Sequence, residues 1–365
     1  MNLPGLVVFA ENGVSNGEIV IGMSNALSGS AKGLGLGVKN GAMAYFEKIN
    51  KTGGIHGRKI RVVSYDDEYE PQLARKNTKK LIDEDKIFAL FGYVGTPTSK
   101  TVISYISQVG VPFIAPFTGA QFLRTPINKN VYNVRASYFD ETELLVNRIV
   151  NDLGIKEIGI FMQNDGYGAA GHDGVVRALK KIDLKQVGVG KYKRNTLEVQ
   201  EGLDELKRSQ AKAVIMIGAY KACAAFMKLA KAQGFTPKMF NISFVGVDEL
   251  YKEAGEAADG SFVSQVVPNF YDDSMELIKQ YQKDVISDFS FPSLEGYIDA
   301  IVIVEGLKQA GSDLTRENFK NAMKKINLNI GGLQINFTGK INQALNKVYL
   351  TKLTGGKIVT VEKLN

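Results

Sequence analysis

From Glu18 onward the chain alternates short, near-continuous apolar runs with longer amphipathic stretches, and this alternation narrows its folds more than any other feature. Strands buried on both faces of a parallel sheet read as unbroken apolar runs, and helices crossing over them read with a period near 3.6. The runs fall at residues 19–23, 60–64, 88–93 and 113–115, then at 158–162, 186–192, 213–217, 242–245 and 262–267. Helical patterns separate or follow them at 41–50, 71–83, 98–109, 141–153, 168–182, 198–209, 222–233, 272–287, 294–310 and 315–325. The pattern predicts an α/β, doubly wound architecture. One sheet rarely needs so many strands, so two lobes are expected, with breaks at 134–140 and 267–271. The tail, 333–337 and 348–361 with a Thr354-Gly355-Gly356 turn, reads as strands with a hairpin.

Composition removes several chemistries. The 365 residues include one cysteine, Cys223, two histidines, His56 and His172, and no tryptophan, which excludes an internal disulfide and leaves a zinc site almost without soft ligands. No run approaches the roughly 18–20 apolar residues of a membrane span. Lys plus Arg exceed Asp plus Glu by 45 to 38, but the excess is dispersed: Lys76, Lys79 and Lys80 are answered by Asp83, Glu84 and Asp85. Such mixed runs are solvated helix faces rather than a phosphate-binding stripe, so no nucleic-acid partner is expected. Residues 1–17, a short apolar stretch ending at Ala10 and then a polar segment, read as a signal remnant or a disordered extension.

Two strand ends carry more information. Gly92-Tyr93-Val94-Gly95-Thr96-Pro97-Thr98-Ser99 closes an apolar run and opens a helix, with Thr96 as the expected N-cap and Pro97 at the first helical position. The first-turn amides and the hydroxyls of Thr96, Thr98 and Ser99 suit a carboxylate. One strand later, Ala115-Pro116-Phe117-Thr118-Gly119-Ala120 repeats the arrangement, and ligands of open α/β sheets bind at carboxyl ends of strands. By contrast, Gly33-Leu34-Gly35-Leu36-Gly37 lacks the third glycine of a dinucleotide loop, since Val38 or Asn40 stands there. It reads instead as a flexible loop at a cleft edge, with a nucleotide-dependent enzyme as the alternative.

Gly29, Asn40-Gly41-Ala42, residues 50–60, Tyr65-Asp66-Asp67, Pro71, residues 92–99, Ala115-Pro116, Asp165-Gly166-Tyr167-Gly168, Gly218-Ala219-Tyr220 and Ala254-Gly255 together resemble the type I periplasmic solute-binding proteins of the leucine/isoleucine/valine-binding group. The resemblance covers nearly the whole chain. It implies two Rossmann-like lobes joined by three crossovers, 18–138 plus 269–341 and 139–268 plus 342–365, closing on a ligand by hinge motion. It further implies a periplasmic, monomeric, non-enzymatic protein without cofactor or metal, which hands a small carboxylate ligand (an amino acid or an aromatic or branched acid) to an ABC permease. A ligand-sensing receptor domain is the other function such lobes serve.

Residue by residue, the resemblance puts the carboxylate-binding hydroxyl on Thr96, a backbone contact on Phe117, and a second hydroxyl position on Gly119, where Thr118 can substitute. The second-lobe aromatics fall on Tyr167 and Tyr220, and the first-lobe aromatic becomes Leu34. Ser243 stands where the family keeps an ammonium-binding glutamate, with Asp248 or Glu249 as nearby replacements. A buried ammonium needs such an acceptor, so Ser243 points toward a carboxylate lacking one. The family's cysteine pair is replaced by Tyr69 and Gly95.

Overall fold

The computed structural model describes residues 11–286, 288–339 and 341–364. Met1 to Ala10, most of the expected signal remnant, and Ser287, the last residue of one expected helix, lie outside the described residues.

The first lobe is built from β1 (Glu18–Asn25), α1 (Lys32–Lys51), β2 (Lys59–Asp66), α2 (Pro71–Asp83), β3 (Ala89–Phe91), α3 (Thr96–Val109), β4 (Phe113–Ile114) and β5 (Val131–Tyr132), its sheet ordered β2-β1-β3-β4-β5. The second follows with α4 (Tyr138–Leu153), β6 (Ile158–Gln163), α5 (Gly166–Lys180), β7 (Gly188–Tyr192), α6 (Gln200–Arg208), β8 (Ala213–Ile217), α7 (Tyr220–Ala232), β9 (Lys238–Asn241), α8 (Val247–Ala254) and β10 (Phe262–Gln265). The chain then adds α9 (Glu276–Asp284), α10 (Phe291–Ala310) and α11 (Arg316–Met323), a small antiparallel pair β11 (Asn327–Asn329) and β12 (Gln334–Asn336), and finally β13 (Tyr349–Thr354) and β14 (Lys357–Thr360). These last two extend the second sheet antiparallel, giving β14-β13-β10-β9-β8-β6-β7.

Both sheets therefore repeat one parallel order, in which the first strand lies between the second and third. That order reverses direction between β1 and β3 and again between β6 and β8, and the crevice outside such a reversal is where α/β sheets hold ligands. The chain passes between the sheets three times, and two of these crossovers are hydrogen-bonded to each other: Asn133 N–H donates to Asn342 O, and the N–H groups of Ala344 and Leu345 to the carbonyls of Asn133 and Val134, all at 2.9 Å. The tail hairpin closes on Gly355 and Gly356, both at positive φ, as a two-residue turn requires.

Two expectations are corrected. Residues 242–245 are not a strand: β9 ends at Asn241, and Ser243–Val245 form a 3-10 turn whose apolar side chains are buried against the other lobe rather than inside a sheet. The glycines at 33–37 are not a loop, because α1 begins at Lys32 and includes them. They are contact positions. A Cβ on Gly35 would lie 2.1 Å from Ala26 O, one on Gly37 2.9 Å from Pro292 Cβ, and one on Gly41 1.8 Å from Ser293 O. Absent side chains here let α1 approach β1 and the wholly buried first half of α10. Nothing of a phosphate-binding loop remains.

Candidate functional site

The N-terminus of α3 opens the first-lobe side of the crevice. Its N-cap is Gly95, at φ 114°, not Thr96, and no side chain caps it. Glycine is required there twice over, by the positive φ and because a Cβ would fall 2.3 Å from Cε2 of Tyr69. The two positions where the family resemblance places cysteines are thus in contact, and the Tyr69 ring packs over Gly95. Relieved of capping, the Thr96 hydroxyl meets that of Thr118 at 2.6 Å, and Thr118 Oγ1 donates to Tyr138 OH at 3.3 Å. Both threonines are fully buried. Gly119 contributes no hydroxyl; a Cβ there would strike Tyr138, whose phenol joins the hydroxyl cluster in its place.

Phe117 differs from expectation in what it presents. Its N–H donates to Tyr93 O at 2.7 Å and its carbonyl accepts from Gly95 N–H at 3.2 Å, so its backbone serves to prolong the β3–β4 pairing. Its ring is what reaches the interlobe space, 5.8 Å from that of Phe244.

On the second lobe, Asp165 caps α5 by accepting from the N–H groups of Tyr167 and Gly168. This fixes Tyr167 in the first helical turn, its ring 5.6 Å from Tyr138 and 4.6 Å from Phe244. The Tyr167 hydroxyl is buried without a hydrogen-bond partner among the described residues, and burial raises its pKa well above the usual phenol value, which keeps it a donor. Tyr220 opens α7 and lies farther along the crevice, its hydroxyl accepting from Gly33 N–H at 3.4 Å. Leu34 also touches the other lobe, since a Cβ on Gly246 would fall 2.5 Å from its Cδ2. Asp248 is not brought to the hydroxyl cluster: it meets the backbone of Phe291 at the start of α10, and burial pushes its carboxyl up to about 7. Glu249 pairs with Lys252.

Ser243 lies inside a buried charge cluster beside the first crossover. Its hydroxyl accepts from Arg135 Nη2 and donates to Glu141 Oε1 at 3.0 Å, and its N–H donates to Glu141 Oε2 at 2.7 Å, which also accepts from Ser264. Arg135, on the first crossover, stacks its guanidinium 4.4 Å above the Phe117 ring, and its Nε lies 3.4 Å from Glu295 Oε1 on α10. Burial works against the charge on Arg135, but Glu295 and Glu141 outweigh it and hold the pKa above the ordinary value. Burial pushes Glu295 up to about 7.

Sequence reasoning did not find Arg135, Glu141 or Phe244. Two signals were present: a lone arginine among apolar residues in Val134-Arg135-Ala136, and an aromatic directly after Ser243.

At the rim, Glu70 of the first lobe accepts from Arg194 Nη2 at 2.6 Å and from Asn195 Nδ2 at 2.5 Å, and Ser30 donates to Asn195; in the buried interior Gln163 Nε2 donates to Tyr69 OH at 3.2 Å. Among the described residues no group of three or more His, Cys, Asp or Glu could hold a metal. Cys223 is buried, and burial raises its thiol pKa, which disfavours the reactive thiolate. Among the described residues no helix is long and apolar enough to cross a membrane.

Known proteins share this architecture. Residues 18–357 match the family model described as periplasmic binding protein. An "Amino acid binding protein" of Pseudomonas aeruginosa is 25% identical over 239 residues, 65% of this chain and 64% of that protein. "Leu/Ile/Val-binding protein homolog 3" of Brucella melitensis is 23% identical over 94% of each chain. The crystal structure of a "possible leucine/isoleucine/valine-binding protein" from Rhodopirellula baltica superposes with a TM-score of 0.91 at 33% identity, covering 97% of this chain and 98% of that one. A family match over nearly the whole chain, joined to a doubled strand order and a crevice between its two reversals, identifies the chain as a member of the periplasmic binding proteins.

Proposed function

We propose that the protein is the extracytoplasmic solute-binding component of an ABC transporter and captures a small carboxylate ligand between its lobes, 18–138 plus 269–341 and 139–268 plus 342–365. It acts as a periplasmic monomer, performs no chemistry, and hands the ligand to a membrane permease. The observation that carries the ligand class is the pairing of Thr96 and Thr118: two buried hydroxyls from adjacent strand ends, 2.6 Å apart, beside an uncapped helix N-terminus. A carboxylate there is bound by hydroxyls and by the positive end of the helix dipole. Phe117, Tyr167 and Phe244 supply an apolar wall, with Gly119, Tyr220, Ser243 and Leu34 bordering it, and Asp248 outside it. Closure draws on contacts made only when the lobes meet, so ligand shifts the population toward the closed form.

Thermal-shift and calorimetric screening of amino acids, aromatic acids and short-chain acids tests this reading. A carboxylate hit is expected, and Thr96→Val, which keeps volume and removes the hydroxyl, weakens it about 10- to 100-fold, the worth of one hydrogen bond to a charged group. An unchanged affinity in Thr96→Val contradicts the assignment. The rim contributes less. Arg194 and Glu70 are partly exposed, and such pairs give roughly 0.2–1 kcal/mol. Arg194→Ala is therefore expected to raise the ligand Kd about 2- to 5-fold through faster dissociation, by a factor that shrinks in high salt, as stopped-flow traces at two salt concentrations will show.

A further inference from the structure

We infer that the ligand is a carboxylate without an α-ammonium group, and that Phe244 is the residue setting the size of ligand admitted. The inference rests on the carboxylate reading above and narrows it. Phe244 is fully buried, and its ring touches both lobes, 5.8 Å from Phe117 and 5.9 Å from Tyr69 on one side and 4.6 Å from Tyr167 on the other. Tyr167 in turn packs on Tyr138, whose phenol belongs to the Thr96–Thr118 hydroxyl cluster. A ligand bound by those hydroxyls and by the free Tyr167 hydroxyl meets the edge or face of Phe244 with the rest of its body.

An ammonium group beside Ser243 or Tyr167 finds the carboxylates of Glu141 and Asp165 already occupied. Glu141 already accepts three hydrogen bonds, from Ser243 N–H, Ser243 Oγ and Ser264 Oγ. Asp165 already accepts from the Tyr167 and Gly168 N–H groups and from Gln163. The charge placed on the aromatic wall is a cation: Arg135 lies over Phe117, and its Nε and Nη1 are buried without a hydrogen-bond partner among the described residues. Glu295, 3.4 Å from Arg135 Nε, and Asp299 both belong to α10, and burial favours the protonated form of each. The Nε and Nη1 donors of Arg135 are left for an anion to take up, whereas a desolvated ammonium placed beside the guanidinium is repelled by it.

The test titrates the purified protein calorimetrically with matched pairs: leucine against 4-methylpentanoate, and phenylalanine against 3-phenylpropanoate. The acid of at least one pair is expected to bind 10-fold or more tighter than its amino acid. In Phe244→Leu, which retains an apolar side chain, the preference between short and long acids (propanoate, 4-methylpentanoate, octanoate) is expected to move toward the longer by at least 5-fold. Amino acids binding as tightly as their acids, with an unshifted size preference in Phe244→Leu, overturn the inference while leaving the carboxylate reading intact. Binding of neither series overturns both. The wild-type comparison decides the ammonium question even if the variant is poorly folded.

Discussion

Arg135→Ala is expected to destabilise the protein by about 3–5 kcal/mol, seen as a fall of roughly 5–10 °C in Tm and a lower urea midpoint. The side chain is essentially fully buried and is the cation facing two buried glutamates, Glu295 at 3.4 Å and Glu141 through their shared contact with Ser243. Removing it strands both carboxylates in a low dielectric, which is the costly way to break a buried ion pair. An exposed pair provides the contrast. Arg208→Ala, which removes the partner of Glu205 on the surface of α6, should change stability by less than about 1 kcal/mol.

The sign of the pH dependence adds a second readout. Burial holds the Glu295 pKa above its ordinary value in the folded chain, so its contribution is present below the unfolded pKa and is lost as pH rises through the raised one. Without Arg135 its ionised form is worse still, and the deficit of Arg135→Ala is larger at pH 8 than at pH 5. The double substitution Arg135→Met, Glu295→Met removes both charges and is expected to recover part of the loss. A stability of Arg135→Ala within about 1 kcal/mol of wild type at pH 8 would refute the linchpin role.

That cluster also marks where the sequence stops being readable. The fold follows from apolar periodicity, and the strand-end motifs at 92–99, 115–120 and 165–168 all converge on the crevice because the strand order places every one of them at a reversal or beside it. Capping chemistry is local, so Asp165 ahead of Tyr167 is legible without coordinates. The partners of Arg135 are not: Ser243 lies 108 residues away and Glu295 belongs to a helix that returns from the other lobe. Phe244 was hidden differently. Its neighbours make 242–245 look like a strand, and only the early end of β9 reveals that these residues are a turn inserted between lobes. Thr96 shows a third limit, since a threonine before a helical proline reads as a cap while Gly95 takes that place and leaves the hydroxyl to the site.

The glycines of α1 make the last case, because two readings of them predict opposite signs for one substitution. In a solvated helix or a flexible loop, Gly41→Ala stabilises by roughly 0.4–1 kcal/mol through helix propensity and a less entropic unfolded chain. In this structure the new methyl would stand 1.8 Å from Ser293 O and 3.0 Å from Tyr297 N, both backbone atoms of α10, which cannot rotate away as a side chain would. The helices must separate along a contact that buries residues from Phe291 to Leu307, and overpacking of such an interface costs about 1–3 kcal/mol, sometimes more. Gly41→Ala is therefore expected to be net destabilising, and Gly41→Val, which adds β-branching and volume, should lose about 3 kcal/mol or more. Gly37→Ala meets the Pro292 ring at 2.9 Å rather than a carbonyl and should cost less than either. Urea denaturation of the three variants tests whether these glycines exist for helix contact, the loss expected to be largest for Gly41→Val, smaller for Gly41→Ala and smallest for Gly37→Ala. Because the first turn of α1 sets Gly33 and Leu34 at the interlobe surface, the same separation displaces that surface, and ligand affinity should fall in the same order.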